Sequence, residues 1–204
     1  MTHALDRRAL IASGFAFAAA PAFAADDDGL VRVSMKTAKG VIVIDLDRGH
    51  APITAANFLH YVDARRLDGC AFYRATRTKG AETTGLIEGG LKNDPAKVFK
   101  SIAHESTAKT GLKHKDGTIS MARRAPGTAS ADFFICLGDQ PSLDADYPGG
   151  EGLGFAAFGQ VADGMDVVHA ILASPTSPTA GVGVMRGQML SPVVEIISVR
   201  RAPK

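Results

Sequence analysis

Residues 117–144 read GTISMARRAPGTASADFFICLGDQPSLD, and two β-rich runs stand out in this stretch. The runs at 118–122 and 133–137 each predict a strand, because apolar and β-branched residues are bounded there by Gly, Pro, Ser and Asp. Successive side chains of a strand point to opposite faces, so Phe133 and Phe134 are expected on opposite faces of the second strand. The stretch therefore predicts two short strands joined by a loop.

The same kind of run recurs along the chain. Residues 31–35 and 41–46 predict a hairpin that turns at Ala38-Lys39-Gly40. Further strands are predicted at 72–76, 155–161 and 193–199. No parallel strand-helix-strand rhythm connects these runs, and such a pattern favours an antiparallel barrel.

Two helices interrupt the strands. Pro52 stands at a position that helices tolerate in their first turn. After it an apolar stripe is formed by Ile53, Ala56 and Leu59, with Phe58 and Val62. A shorter helix is predicted at 165–172. Four stretches rich in Gly, Pro, Ser, Thr and Lys are expected to be long loops, at about 77–88, 91–116, 138–154 and 173–192.

Composition is that of a globular protein. The 204 residues are 46% hydrophobic and 22% charged, and 23 basic residues nearly balance 21 acidic ones. This balance gives no reason to expect a nucleic-acid partner, or a membrane partner for the mature chain. Cys70 and Cys136 are expected to be buried thiols, although their spacing leaves a disulfide open.

The amino terminus is typical of an export signal. Arg7 and Arg8 precede an apolar run that ends in Ala22-Phe23-Ala24, which predicts a signal peptide over 1–24 and cleavage before Ala25. The Arg pair favours a twin-arginine signal, and an ordinary Sec signal stays open. Residues 25–204 are then a single domain, and the expected location is outside the cytoplasm, in a bacterial periplasm.

Several common catalytic patterns are missing from the sequence. It contains no G-x-S-x-G nucleophile elbow and no phosphate-binding loop of the G-x-x-x-x-G-K-[ST] type. His104-Glu105 begins like a zinc-hydrolase motif, but Ala108 stands where the second histidine would be needed. No metal and no cofactor are expected.

Four ordered segments resemble the cyclophilin family of peptidyl-prolyl isomerases. They are FYRATR from Phe72, LIEGG from Leu86, residues 117–144 and FAAFGQVADGMDVV from Phe155. The resemblance covers residues from about Val31 to Val199. Within the family, the chain is similar to exported bacterial members with an enlarged loop after the arginine strand. It implies a mainly β fold, a closed eight-stranded antiparallel barrel capped by two helices. It also implies a monomer that binds proline-containing unfolded or extended polypeptides.

The resemblance also assigns roles to individual residues. Arg74 matches the family's catalytic arginine, Glu88 stands beside it at a position that is usually Gln, and Phe134 matches the floor of the proline pocket. From the residues alone, Arg74 could equally be a strand arginine paired to a carboxylate, and Phe134 could be a core residue. The remaining substrate-binding positions implied by the family are Ala122, Arg123 through its backbone, Thr128, Asp132, Leu143 and Phe155.

Three departures from the family pattern bear on activity. Glu88 replaces a donor-bearing amide by an acceptor-only carboxylate, which could pair with Arg74 and lower the rate. Ser142 stands where many members carry Trp, which predicts weak cyclosporin binding. The segment from Arg77 to Gly85 replaces one that normally supplies another pocket aromatic.

Two functions other than an efficient isomerase stay open. The chain could be a proline-binding module without useful turnover, which peptide binding without rate acceleration would reveal. It could also be an envelope scaffold, for which no peptide binding is expected.

Overall fold

The computed structural model of the chain describes residues 29–150 and 152–204. The predicted signal peptide at 1–24 lies outside the described residues. Within them the order of elements is β1 (Leu30–Thr37), β2 (Gly40–Asp47), α1 (Pro52–Asp63), β3 (Cys70–Thr78), β4 (Ala81–Gly90), α2 (Thr107–Thr110), β5 (Thr118–Met121), β6 (Phe133–Leu137), β7 (Ala156–Asp163), α3 (Met165–Leu172), β8 (Thr176–Ser177) and β9 (Met189–Arg201). Short 3₁₀ helices lie at Pro141–Leu143 and Gly183–Met185.

Eight of the strands close into an antiparallel barrel. Their order around the wall is β1-β2-β7-β5-β6-β4-β3-β9, and β9 pairs back onto β1. The two-residue strand β8 adds only to the end of β9. The predicted eight-stranded barrel is confirmed, and closure leaves the two edges of the long sheet paired with each other.

The first hairpin shows why these sequences form the wall. Val33 and Met35 of β1 alternate with polar residues, and Ile42, Ile44 and Leu46 of β2 alternate with more exposed ones. All five side chains are fully buried. Each such side chain contributes roughly 1.5–3 kcal/mol by leaving water, which favours this register over a slip by one residue.

Helix α1 covers one opening of the barrel with part of the predicted stripe. Phe58, Leu59 and Val62 are buried as predicted, whereas Ile53 and Ala56 are exposed. At the start of the helix, no side chain of the preceding residue caps the backbone. Glu105, which is 2% exposed, reaches this end from a distant loop.

The Glu105 carboxylate serves as a cap from 51 residues away. It accepts hydrogen bonds from the Ile53 backbone N–H at 3.2 Å, the Thr54 backbone N–H at 2.7 Å and the Thr54 hydroxyl at 2.7 Å. A negative charge is also favourable at the positive end of the helix dipole. Glu105 of the His104-Glu105 pair thus has a structural role.

The predicted loop at 77–88 is wrong, because most of it belongs to a hairpin. Strand β3 continues to Thr78, the chain turns at Lys79 and Gly80, and β4 runs from Ala81. The expected enlarged loop after the arginine strand is therefore a tight turn. Polar residues hide the strand pattern here, and Gly85 is needed because a Cβ at this position would lie 1.9 Å from the Thr76 carbonyl oxygen.

The interior of the barrel is aromatic at its centre. The Phe133 ring packs edge to face on Phe58 at 5.4 Å and on Phe72 at 5.7 Å between centroids. Cys70 and Cys136 are buried free thiols, as expected. Among the described helices, none has the length and apolar character needed to cross a membrane.

Candidate active site

One row of paired residues crosses the barrel wall and brings the predicted site together. Arg74 of β3 pairs with Glu88 of β4, Glu88 pairs with Phe134 of β6, and Phe134 pairs with Ser120 of β5. Directly paired residues on neighbouring strands present their side chains on the same face of a sheet. Phe133 occupies the inner face, so this row lies on the outer face.

The polar part of the row is a network around Arg74. The guanidinium Nη1 donates to Glu88 Oε2 at 2.7 Å, and Nε donates to Gln188 Oε1 at 2.8 Å. The Tyr73 hydroxyl donates to the other oxygen of Glu88 at 2.9 Å. We call Tyr73, Arg74, Glu88 and Gln188 the polar cluster. The pairing of Arg74 with Glu88 that the sequence predicted is confirmed.

Gln188 is a member of this cluster that sequence reasoning missed. It precedes β9 in a segment predicted to be a loop, 114 residues away from Arg74. Its backbone carbonyl also accepts from the Ala75 backbone N–H at 2.9 Å. No periodicity or motif marks such a residue, because only the closing of β9 onto β3 brings it to the site.

Phe134 begins the apolar part of the site. Its ring is 4% exposed and meets the Phe155 ring edge to face at 5.5 Å between centroids. The Phe155 backbone N–H donates to the Leu143 carbonyl at 2.9 Å, which ties the 3₁₀ helix at Pro141–Leu143 to this position. We call Phe134, Leu143 and Phe155 the apolar cluster.

A buried hydrogen-bonded chain lies behind Phe134. The His114 ring stacks near the Phe134 ring at 5.9 Å and has no exposed side-chain surface. Its Nδ1 lies 2.8 Å from Asp144 Oδ1, and its Nε2 lies 2.9 Å from Ser120 Oγ. Burial lowers the pKa of His114 despite the nearby carboxylate. No motif in the sequence marks His114, and only the fold brings it next to Asp144 and Ser120.

Arg123 contributes its side chain to the apolar cluster. Its guanidinium carbon lies 4.5 Å from the centroid of the Phe155 ring, and its Nη1 donates to the Arg124 carbonyl at 3.0 Å. The guanidinium also donates to the Gly154 carbonyl. The cation over the aromatic face holds Phe155 in place beside Phe134.

A cavity of about 330 Å³ opens next to the polar cluster. Four predicted residues line it, namely Glu88, Ala122, Arg123 and Asp132, together with Tyr73, Lys92, Asn93, Arg124, Met185 and Met189. The other predicted residues, Arg74, Phe134, Leu143, Phe155 and Thr128, are not part of its lining. Arg74 bonds to Glu88 in the cavity wall.

Asp132 is a buried acid in this cavity wall. It is 2% exposed, and its Oδ1 accepts from the Lys92 backbone N–H at 2.7 Å. Burial raises the pKa of Asp132 to about 6, and the charge of Glu88 acts in the same direction. The close fit requires glycine in the LIEGG motif, because a Cβ on Gly90 would lie 2.5 Å from Asp132 Oδ1.

Thr128 serves its own turn. The hydroxyl donates to the Ala125 carbonyl at 2.7 Å and accepts from the Arg124 backbone N–H at 3.2 Å. These bonds stabilise the loop between β5 and β6, which carries Arg123. The predicted role of Thr128 in binding substrate stays a prediction.

Comparison with known proteins decides the family. The family model for cyclophilin-type peptidyl-prolyl cis-trans isomerases matches residues 32–200. The chain belongs to the cyclophilin family. This cyclophilin is 34% identical over 151 residues to a peptidyl-prolyl cis-trans isomerase of Streptomyces antibioticus, with 73% of this chain and 87% of the relative covered. It is 35% identical over 170 residues to one of Acinetobacter baylyi, with 82% and 84% covered.

Solved structures agree on the fold. A cyclophilin-type peptidyl-prolyl cis-trans isomerase of Cryptosporidium parvum superposes with a TM-score of 0.68 at 18% identity, over 86% of this chain and 99% of that one. This cyclophilin is accordingly a peptidyl-prolyl cis-trans isomerase, as the resemblance implied.

The two clusters provide what rotation of an Xaa-Pro bond requires. The rotation barrier is roughly 18–20 kcal/mol because the twisted amide loses its resonance. An apolar surface can hold the proline ring, and a donor can bond the prolyl nitrogen once its lone pair is regained. Phe134 offers the surface, and the guanidinium of Arg74 offers fixed donors that stay charged.

Proposed function

We propose that this cyclophilin isomerises Xaa-Pro bonds of exported polypeptides outside the cytoplasm, at a rate held below that of members with Gln beside the arginine. The observation that carries the lowered rate is the 2.7 Å ion pair between Arg74 and Glu88. Both side chains are mostly shielded, at 16% and 14% exposed, so water weakens the pair little.

Arg74 acts as the donor to the prolyl nitrogen in this proposal. Its Nη1 is held by Glu88 and its Nε by Gln188, and no acceptor among the described residues takes Nη2. A donor fixed on two sides costs little reorganisation when the amide twists. Electrostatic stabilisation of this kind favours the twisted state over both planar isomers.

Glu88 opposes that action. A carboxylate accepts strong, charge-assisted hydrogen bonds, and so it competes with the prolyl nitrogen for the guanidinium. It also spreads negative charge over the site and lowers the positive potential that the twisted nitrogen would meet. An amide at the same position would hold Arg74 with a neutral oxygen instead.

Proline-containing peptides are the substrates that the apolar cluster supports. The Phe134 and Phe155 rings form an edge-to-face pair that can receive a proline ring beside it. The Cryptosporidium parvum relative was also solved in the presence of the dipeptide Ala-Pro, with a TM-score of 0.67. We extend the same ligand chemistry to this chain, as an extended polypeptide bound by a monomer.

A proline-binding module without efficient turnover is the second candidate. The same ion pair favours it, because an arginine neutralised by Glu88 can still border a peptide site while contributing little to the twisted state. The two candidates differ in the rate of isomerisation, so a measurement of binding alone does not distinguish them.

Exchange spectroscopy by NMR separates the two functions. A short Xaa-Pro peptide is mixed with the chain from Ala25, and cis/trans exchange is measured on a timescale that also shows binding. Accelerated exchange is expected. Line broadening of the peptide without acceleration would replace the isomerase by the binding module, and no effect on the peptide would contradict both.

Export is tested in bacteria that produce the full chain. Fractionation is expected to find a shortened protein, cut before Ala25, in the periplasm. Replacing Arg7 and Arg8 by Lys together blocks export if the signal is of the twin-arginine type, and leaves it intact if the signal is of the Sec type. Uncut wild-type protein in the cytoplasm would overturn the proposed location.

A further inference from the structure

The ion pair between Arg74 and Glu88 differs in geometry from other arginine pairs in the chain. It rests on one hydrogen bond, from Nη1 to Oε2. Three other pairs are bidentate, with two guanidinium nitrogens on two carboxylate oxygens, namely Arg32 with Asp45, Arg200 with Asp68 and Arg201 with Asp63. The bidentate form is the geometry that the two planar groups favour. Other contacts of Arg74 and Glu88 therefore prevent the bidentate geometry in this pair.

Two side chains occupy the atoms that a bidentate pair would use. The Tyr73 hydroxyl donates to Glu88 Oε1 at 2.9 Å, and Gln188 Oε1 accepts from Arg74 Nε at 2.8 Å. Arg32 and Arg201 pair through Nε and Nη2, and Gln188 takes that Nε on Arg74. Arg200 pairs through Nη1 and Nη2, and on Glu88 the Tyr73 hydroxyl engages the oxygen that such a pair would need. The Nη2 of Arg74 is left without an acceptor among the described residues.

Gln188 is itself held firmly enough to do this. Its Oε1 also accepts from the Thr76 hydroxyl at 2.8 Å, and its Nε2 donates to the Val184 carbonyl at 2.7 Å. Its backbone carbonyl accepts from the Ala75 backbone N–H at 2.9 Å. Two elements thus fix Gln188, namely β3 and the 3₁₀ helix at Gly183–Met185.

We propose that Gln188 is a positioning residue for prolyl isomerisation, which prevents Glu88 from capturing Arg74 completely. Its side-chain oxygen holds Nε, so that the Nη2 donors remain available to the twisted amide. The inference rests on the proposed function of Arg74. It also explains how a cyclophilin with a carboxylate beside its arginine keeps a donor for the reaction.

The kinetic test compares Gln188→Met in two backgrounds. Met keeps the length of the side chain and removes its three hydrogen bonds. With Glu88 present, kcat is expected to fall about tenfold while KM stays within about twofold, because the donor to the twisted state is lost and peptide binding is not. In the Glu88→Gln background the same change is expected to cost less than about threefold, since no carboxylate remains to capture Arg74.

Equal losses in both backgrounds would overturn the proposal, because they would show that Gln188 supports the loop and not the arginine. Gln160→Met is the matched control. Gln160 on β7 is likewise a hydrogen-bonded glutamine, whose side chain donates to the Asp116 carbonyl and accepts from the Thr118 hydroxyl, and it lies outside the site. Its replacement is expected to leave kcat and KM unchanged.

A spectroscopic measurement keeps the inference separate from the activity. The Nε–H resonance of Arg74 can be identified by its disappearance in Arg74→Lys. In Gln188→Met this proton is expected to exchange with water faster, and unchanged exchange would overturn the hydrogen bond on which the proposal rests. Wild-type protein that fails to accelerate exchange in the peptide would instead overturn the proposed function, whatever the variants show.

Discussion

The polar and apolar clusters occupy neighbouring parts of one barrel face but are built differently. Residues 73, 74, 88 and 188 come from two strands and a loop, and hydrogen bonds of 2.7 to 2.9 Å set their geometry. The apolar cluster comes from positions 134, 143 and 155, and ring packing holds its aromatic pair. Hydrogen bonds are directional and ring packing is much less so. Changes in the polar cluster should therefore alter kcat, and changes in the apolar cluster should alter KM.

Arg74→Ala is expected to have the largest effect on activity. Loss of the donor to the twisted amide is expected to lower kcat/KM by at least about a hundredfold, the usual effect of removing one preorganised donor. Exchange spectroscopy measures the rate, and circular dichroism confirms that the barrel remains folded.

Arg32→Ala provides the control for Arg74→Ala. Arg32 is also a strand arginine in a partly buried ion pair, with Asp45, and this pair is on the β1–β2 hairpin. We expect its loss to leave kcat/KM within about twofold. If both variants lose activity equally, Arg74 is a structural strand arginine and not the donor.

The apolar cluster is tested with the two adjacent phenylalanines. Phe134→Leu is expected to raise KM for an Xaa-Pro peptide about tenfold, or about 1.4 kcal/mol, with kcat nearly unchanged. Phe133→Leu removes a ring that packs on Phe58 and Phe72, and should lower the free energy of unfolding by about 1.5 kcal/mol. Chemical denaturation and steady-state kinetics measure the two effects. A larger rise in KM for Phe133→Leu would reverse the assignment of inner and outer faces.

A more conservative change tests the role of the carboxylate in the polar cluster. Glu88→Gln is expected to raise kcat/KM about fivefold, because a charge-assisted hydrogen bond to Arg74 exceeds a neutral one by about 1 kcal/mol. Glu82→Gln on the same strand, where Glu82 is exposed, should have no effect. Unchanged or lower activity of Glu88→Gln would show that Glu88 does not hold the rate down.

The smallest effect on activity is expected at Asp132, whose titration should instead change the stability of the protein with pH. Burial raises the pKa of Asp132 from 3.8 to about 6. Between these values the folded protein keeps a proton that the unfolded chain releases, so the contribution of Asp132 to stability falls as pH rises through this window. Asp132→Asn should therefore be more stable than wild type above pH 6, by up to about 3 kcal/mol, and not below pH 4.

Thermal unfolding at several pH values tests this titration. An Asn side chain can still accept from the Lys92 backbone N–H, so the fold should be kept. A difference in melting temperature that is the same at pH 4.5 and pH 7.5 would contradict it.

Much of the fold was predictable, because its signals are local. Alternation of apolar and polar residues marks β1, and runs of β-branched and aromatic residues mark β2 and β6. Strand β4 was missed because Glu82, Thr83 and Thr84 are exposed or half-buried, so that no apolar alternation reports the pairing. The cap of α1 by Glu105 was missed as well, because 51 residues separate Glu105 from Thr54.

Sequence alone determined the barrel, the family, and the pairing of Arg74 with Glu88. Only the tertiary structure decided that Gln188 holds Arg74 Nε and that His114 lies buried behind Phe134. The physical reason is the range of the interactions. Hydrophobic periodicity is written in neighbouring residues, whereas a hydrogen bond between positions 74 and 188 exists only after β9 has closed the barrel against β3.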